Sequence, residues 1–386
     1  MKAKKIGILT FHREINDGSV LQCYCLYQLL HRLMPNCHFE VIDYVPTYVR
    51  RRRRSFVIVK RPPFVWPRGN HRIRRSQDRF YEEYVRFSPR LAVDDSIEAA
   101  RRAILDQRYD AVVVGSDTVW DSRPNTGVPQ VPNVFSLPGF EGVVKTSFAA
   151  SMDKGGPRHV SPRAWQRLID EIADFDYISV RDEATRLWLG EGGLPLEKVH
   201  FMPDPTILHD FSDIANLPKR FRDEHPNLAA VAVSDPRLQV TVTRQLVEMG
   251  YEVINLLCSP VEGQLSAPAD WSYGERVGAH ACFQAMITDR FHGSIFALKQ
   301  NPKTPVLLVE PSYYYEDSMS KGRDLFTRLG LSPMVWRYEA NQPIPEDLVE
   351  RSLAKHAGMA IDVPEKILAL RSDAAESIRN LVALLD

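Results

Sequence analysis

The sequence predicts an α/β protein of two doubly wound, Rossmann-like domains facing a cleft. Three observations predict it. Apolar runs of strand length alternate with longer amphipathic, helical patterns along most of the chain. The alternation breaks once, at Met202-Pro203-Asp204-Pro205 with Pro218 beyond, and then repeats. Polar residues stand at the carboxyl ends of the apolar runs, where open parallel sheets bind ligands. With 386 residues, 44% of them hydrophobic, each half can build a core. The expected division is an N-terminal domain over 1–204, a C-terminal domain over 205–365 and a terminal helix over 366–386.

Residues 6–11 read as a buried strand, since an unbroken apolar run of that length suits a strand covered on both faces. Gly18-Ser19 opens a helix with apolar positions Val20, Leu21, Tyr24, Leu26, Leu29, Leu30 and Leu33. Residues 39–42 form the next strand, and strand, helix and strand within about 40 residues is a βαβ unit. A basic insertion over 46–90 interrupts it: five consecutive arginines at 50–54, then Lys60, Arg61, Arg68, Arg72, Arg74 and Arg75. Phe56, Val57, Ile58, Val59, Phe64, Val65 and Trp66 are interleaved with them. Helix returns at 96–106. The strand at 111–114 ends in Gly115-Ser116-Asp117, that at 146–150 in Ser151, and that at 177–180 in Arg181, with helices at 162–175 and 183–189. In the second half, strands at 229–233, 252–256, 282–287 and 305–309 alternate with helices at 238–249, 274–281 and from Ser294. A last helix sets Ile367, Leu370, Ala374, Ile378, Leu381 and Leu385 on one face.

Bulk properties narrow the function classes. Formal net charge is zero, so no global field draws nucleic acid. No apolar run approaches the length that spans a bilayer, and residues 6–11 are too short for a secretory signal. Cys23, Cys25, Cys37, Cys258 and Cys282 show no pairing at zinc spacing and read as reduced packing residues of a cytosolic protein. No compact His/Asp/Glu cluster argues for a metal.

Thr288-Asp289-Arg290-Phe291-His292-Gly293 is the stretch richest in chemistry. A strand delivers Arg290 and His292 to a helix start, where unpaired backbone N–H groups and the helix dipole favour an anion. A fixed cation and a titratable imidazole two residues apart suit a phosphate or carboxylate ester that is held and then protonated. Equally, the arginine pairs with a carboxylate and the histidine caps the helix.

Taken with other segments, the stretch resembles the polysaccharide pyruvyl transferase family. The resemblance runs in order through residues 16–22 (Asn-Asp-Gly-Ser-Val-Leu-Gln), 114–120 (Val-Gly-Ser-Asp-Thr-Val-Trp), Phe148-Ala149-Ala150-Ser151, Ile178-Ser179-Val180-Arg181-Asp182, Asp204-Pro205-Thr206 and Arg290-Phe291-His292-Gly293, with Lys321 following. Asp17 departs from the pattern, which has an aromatic there, and the basic insertion lies outside it. The resemblance implies a fold like the two-domain GT-B glycosyltransferases. It implies transfer of pyruvate from phosphoenolpyruvate to two hydroxyls of a sugar in a glycan or lipid-linked glycan, as a cyclic ketal, with release of phosphate. No cofactor is expected beyond phosphoenolpyruvate as donor.

In that light His292 is the expected general acid/base, and Arg290, Arg181 and Lys321 the ligands of the donor's phosphate and carboxylate. Asp117 accepts from a sugar hydroxyl or acts as base, or simply caps the following turn. Gly18 and Ser19 offer backbone N–H groups on the acceptor side, with Ser151 beside them. Trp120 stacks on a sugar or fills the core, and Asp204 shapes the turn between domains. The basic insertion is a solvated face or docks on an anionic membrane surface, giving a cytoplasmic protein peripheral to the membrane. Nucleic acid is not an expected partner. The competing readings are a GT-B glycosyltransferase using a nucleotide sugar, for which Glu310 is the lone acidic candidate, and a non-catalytic glycan-binding protein.

Overall fold

The structure, a computed structural model, describes residues 3–47, 49–50, 68–91, 93, 95–123, 131–217, 219–257, 260–312 and 319–386, with backbone alone at 68–71 and 219–220. It divides into two compact units, Met1–His209 with Arg371–Asp386, and Asp210–Leu370.

The first unit comprises β1 (Lys5–Leu9), α1 (Asp17–Leu33), β2 (His38–Val41), α2 (Arg68–Tyr84), α3 (Ile97–Leu105), β3 (Ala111–Asp117), β4 (Val144–Ala150), α4 (Pro162–Ala173), β5 (Ile178–Val180), α5 (Glu183–Glu191), β6 (Val199–Phe201) and α6 (Pro205–Leu208). Its six strands are parallel, in the order β2-β1-β3-β4-β5-β6. All seven residues of β3 are buried, as an interior strand between helical layers requires. Side-chain caps start the helices: Asn16 for α1, Ser161 with Pro162 for α4, and Asp182 for α5. Helix α4 turns Trp165, Leu168, Ile169 and Ile172 inward at helical spacing, onto a core with Val112, Val114 and Trp120. Each such apolar side chain contributes about 1.5–3 kcal/mol. Gly115 is required where it stands. Its φ is +107°, and a Cβ there would lie 2.5 Å from the Phe148 carbonyl oxygen on β4.

The second unit comprises α7 (Lys219–Glu224), β7 (Leu228–Ala232), α8 (Pro236–Glu248), β8 (Glu252–Asn255), β9 (Gln264–Ser266), α9 (Tyr273–Gly278), β10 (Phe283–Thr288), α10 (Phe291–Gln300), β11 (Val306–Pro311), α11 (Lys321–Arg328), β12 (Val335–Tyr338), α12 (Leu348–Ala357) and α13 (Val363–Asp373), the last running into the first unit's tail. Its sheet, again parallel, has the order β12-β11-β10-β7-β8-β9. Each sheet therefore reverses its strand order once, at β1/β3 in the first unit and at β7/β10 in the second. In doubly wound sheets that reversal opens a crevice at the strands' carboxyl ends.

Several elements differ from the sequence expectation. Strands β6, β9 and β12 and helices α2, α6, α7 and α12 were not expected. Three- and four-residue strands carry no measurable periodicity, and α2 is so rich in arginine that its inward Ile73, Gln77, Phe80 and Tyr81 do not stand out. The terminal helix is two helices, α13 and α14 (Ala375–Leu385). Residues from Arg371 onward pack on the first unit: Arg371 Nε donates to the Ile207 carbonyl at 2.9 Å, and Tyr177 donates its hydroxyl to the Ser377 carbonyl at 2.9 Å.

Candidate functional site

In the first unit, polar side chains gather at the β1/β3 reversal. β3 ends at Asp117, held at φ +86°, a conformation that costs a non-glycine residue on the order of 1–3 kcal/mol. Hydrogen bonds hold it there. Asp117 Oδ2 accepts from Ser19 Oγ at 2.9 Å, and Oδ1 accepts from the Thr118 N–H at 2.8 Å and from Arg181 Nη2 at 3.3 Å. Arg181 Nη1 donates to Asp204 Oδ2 at 2.6 Å, which also accepts from Ser116 Oγ at 3.3 Å. Burial disfavours the Arg181 charge, but Asp204 and then Asp117 outweigh it, so the guanidinium holds its proton more firmly than usual. Asp204 Oδ1 caps α6 through the Thr206 N–H and hydroxyl. The loop after β1 is tied to the same place: Thr10 donates to the Ser116 carbonyl, and Gln22 reaches Thr10, Phe11 and Ser19.

That loop has a second anchor on the β2 side. Asp43 accepts from His12 Nε2 at 3.0 Å, from Arg13 at both carboxylate oxygens and from Arg90 at 3.3 Å. Burial by itself raises the Asp43 carboxyl, but the His12 hydrogen bond and the Arg13 guanidinium outweigh it and hold the group well below the usual carboxylate range.

In the second unit the reversal lies between β7 and β10, and the Arg290–His292 segment sits on it. Arg290 caps α10 with extended backbone, and its N–H donates to Thr288 Oγ1 at 2.9 Å. Its Nη2 donates to Ser234 Oγ, beyond β7, at 2.9 Å, and its Nε lies 3.1 Å from Asp289 Oδ1. Asp289 Oδ2 accepts from the Ser234 N–H at 2.7 Å, so the loops after β7 and β10 are laced together. The Arg290 side chain remains 50% exposed. His292, partly exposed, is the second residue of α10, its ring 5.2 Å from Phe291 and 6.3 Å from Phe296. Lys321 opens α11, with Nζ 5.8 Å from the centre of the Phe291 ring. Two helix N-termini, bearing Arg290, His292 and Lys321, thus follow the neighbouring strands β10 and β11 at the carboxyl end of the sheet. Such an arrangement can hold a small, multiply charged anion and pass it a proton.

Three expectations need correction. Arg181 was expected to meet the donor's anionic groups. Its side chain has 0% exposure and two carboxylate partners, so it braces Asp117 and Asp204 instead. The Gly18 N–H, expected to serve the acceptor, donates to Asn16 Oδ1 at 3.0 Å, and Ser19 spends its hydroxyl on Asp117. Ser151 is fully buried, its Oγ accepting from the Asp153 N–H. Of the two readings open for Trp120, the structure takes the core one: it is 0% exposed, with its indole N–H on the Phe135 carbonyl. Arginines 51–54 and Cys258 lie outside the described residues. Cys23, Cys25, Cys37 and Cys282 form no disulfide. Sequence reasoning missed Ser234 and gave no role to Asp289 and Ser116; a polar residue just past a strand at the order reversal is the signal that finds them. Among the described residues no group of three or more His, Cys, Asp or Glu is arranged to hold a metal, and no helix is long and apolar enough to cross a membrane.

Residues 16–309 match the family described as polysaccharide pyruvyl transferase. No curated protein sequence matches the chain. Solved structures similar to it include the UDP-GlcNAc 2-epimerase of Neisseria meningitidis bound to UDP-GlcNAc, with a TM-score of 0.55 at 11% identity, covering 99% of this chain and 100% of that one. The Methanocaldococcus jannaschii UDP-GlcNAc 2-epimerase in complex with UDP-GlcNAc and UDP gives 0.55 at 11%, covering 98% and 99%. Anabaena HepE in complex with UDP and glucose gives 0.55 at 10%, covering 98% and 100%. At such identities the likeness is one of fold, the GT-B fold.

Proposed function

Because the chain belongs to the polysaccharide pyruvyl transferase family, we propose that it moves pyruvate from phosphoenolpyruvate onto two hydroxyls of one sugar in a glycan or lipid-linked glycan. The observation that carries this reading is the pairing of Arg290 with His292 at the start of α10, with Lys321 opening α11 beside it. Arg290 and Lys321 take the donor's phosphate and carboxylate. His292 gives a proton to the terminal carbon, C3, which becomes the methyl group, and C2 becomes electrophilic. A sugar hydroxyl adds to C2 and returns a proton to the imidazole of His292. The bond from C2 to the phosphate oxygen breaks and phosphate leaves. The second hydroxyl adds to C2, loses its proton to the released phosphate and closes the ketal ring. In the first unit, Asp117 is the candidate to accept from a sugar hydroxyl, and Arg181 fixes its carboxylate.

Two further parts of the reading have separate support. The basic insertion favours a protein that works against an anionic membrane surface, where glycan acceptors on lipid carriers are presented. A nucleotide-sugar donor is disfavoured because the acidic pair that would hold its ribose and base is reduced to Glu310 alone. It is 2% exposed and engaged by the Ser320 N–H at 3.1 Å and Arg323 at 3.4 Å.

Thermal unfolding with phosphoenolpyruvate, UDP-sugars or neither tests the donor. A ligand at 100 times its dissociation constant stabilises by about 2.7 kcal/mol. Phosphoenolpyruvate is expected to shift the transition and UDP-sugars to leave it in place. The reverse result assigns the chain to nucleotide-sugar chemistry.

A further inference from the structure

Helix α2 is two-faced in charge and in attachment. Its inward side is fastened to the loop that follows β1: Gln77 Nε2 donates to the His12 carbonyl at 2.9 Å and the Glu14 carbonyl at 3.0 Å, and Tyr81 donates its hydroxyl to the His12 carbonyl at 2.8 Å. Asp78 pairs with Arg13 at 3.3 Å. Ile73, Phe80 and Tyr81 are buried beneath it. Its outward side carries Arg72, Arg75 and Arg79, all exposed. At 100° per residue these three fall on one stripe, spread along about 10 Å of the helix axis. Glu82 and Glu83 share the stripe only in its last turn, and Asp78 is taken up by Arg13. On the flank, Arg74 Nε and Nη2 are buried without a hydrogen-bond partner.

The residue choice is as telling as the charge. Between positions 50 and 79 the chain has eleven arginines against one lysine and one aspartate. Arginine's planar fork binds phosphate oxygens in pairs, where lysine offers a point charge. The row runs along one side of the helix, suited to an extended phosphate surface rather than to one small ligand. The sequence just ahead of α2 mixes in Phe56, Phe64 and Trp66, the aromatic composition of a lipid–water interface rather than of a nucleic-acid arm.

We propose that the outward arginine row of α2, Arg72, Arg75 and Arg79, is a docking face for anionic phospholipid headgroups. The proposal deepens the membrane reading above and names the residues that make the contact. It also gives the contact a geometry. The docked helix is the one bolted to the loop after β1, which leads to Ser19 and its bond to Asp117. Docking therefore presents this edge of the first unit to the membrane.

The test is co-sedimentation of the full chain with phosphatidylglycerol/phosphatidylcholine vesicles and with phosphatidylcholine alone, at low and high salt. The variants are R72Q/R75Q/R79Q, the charge-keeping R72K/R75K/R79K, and a control triple, R102Q/R167Q/R351Q, of exposed arginines elsewhere. Each arginine near an anionic surface is worth about fivefold in partitioning, so the glutamine triple is expected to lose on the order of a hundredfold on anionic vesicles at low salt. The lysine triple should retain part of the binding and the control triple nearly all. Donor turnover on a soluble acceptor should be the same in all four proteins, which separates a failure of docking from a failure of the proposed chemistry. Thermal melts confirm that each variant folds. Wild-type pelleting by the glutamine triple would overturn the assignment of α2. Binding to a DNA duplex as tight as to the vesicles, and lost in the same variant, would overturn the choice of lipid.

Discussion

At the residue scale, position and partners give otherwise similar side chains different tasks. Arg290 and Arg181 both stand just past a parallel strand. Arg290 keeps half its side chain exposed at a helix start, whereas Arg181 is sealed between two carboxylates. His292→Ala is expected to lower turnover by about 10²–10⁴-fold, the usual contribution of general acid–base catalysis, with the melting temperature unchanged. Steady-state kinetics beside a thermal melt reads both, and near wild-type turnover would move the acid to another residue. Arg181→Ala should behave differently. It strands two buried carboxylates, so it should cost roughly 3–5 kcal/mol of stability and lower turnover, while phosphoenolpyruvate affinity by calorimetry stays the same. A selective loss of affinity in a stable variant would restore Arg181 to the donor site.

At the element scale, what matters is how loops are fastened at the two strand-order reversals. Ser234 and Asp289 lace β7 to β10 in the second unit, and Thr10, Gln22 and Ser19 lace β1 to β3 in the first. The loop after β1 also depends on Asp43, two residues past β2. Asp43 titrates below its unfolded value of about 3.9, so its contacts add stability that is complete above that pH and fades as pH falls toward the folded value. Asp43→Asn is therefore expected to be less stable than wild type by about 3–5 kcal/mol at pH 7, and the gap should narrow progressively below about pH 4. Urea unfolding of both proteins from pH 7 to pH 3 measures the gap. A gap independent of pH would mean that the loss is one of packing rather than of charge.

At the scale of the whole molecule, the chain leaves the first unit at His209 and returns to it at Arg371. The returning segment contributes Leu381 and Leu385, 0% and 1% exposed, and the Ser377 carbonyl that receives Tyr177. Removing residues 374–386 should thus destabilise the first unit by several kcal/mol, at about 1.5–3 kcal/mol per buried leucine, and leave the second unit's transition in place. Scanning calorimetry of the truncated protein is the check; a shift confined to the second unit's transition would contradict it.

How much of this was legible in the sequence depends on the range of the interaction involved. Local signals determined the alternation of strands and helices and the delivery of Arg290 and His292 to a helix start, whereas the caps at Asn16, Ser161 and Asp182, equally local, were not read. These follow from side-chain period and from hydrogen bonds a few residues apart, which a linear reading can see. The arginine-rich α2 escaped because its charge masks the four inward positions that hold it to the fold. Only the tertiary structure decided the roles of Arg181, Ser19 and Asp117. Arg181 finds its carboxylates 23 and 64 residues away, and Ser19 meets Asp117 across 98. Sheet order creates those meetings, and the choice between a buried brace and an exposed anion ligand is made by burial, which depends on what the rest of the chain packs around the charge.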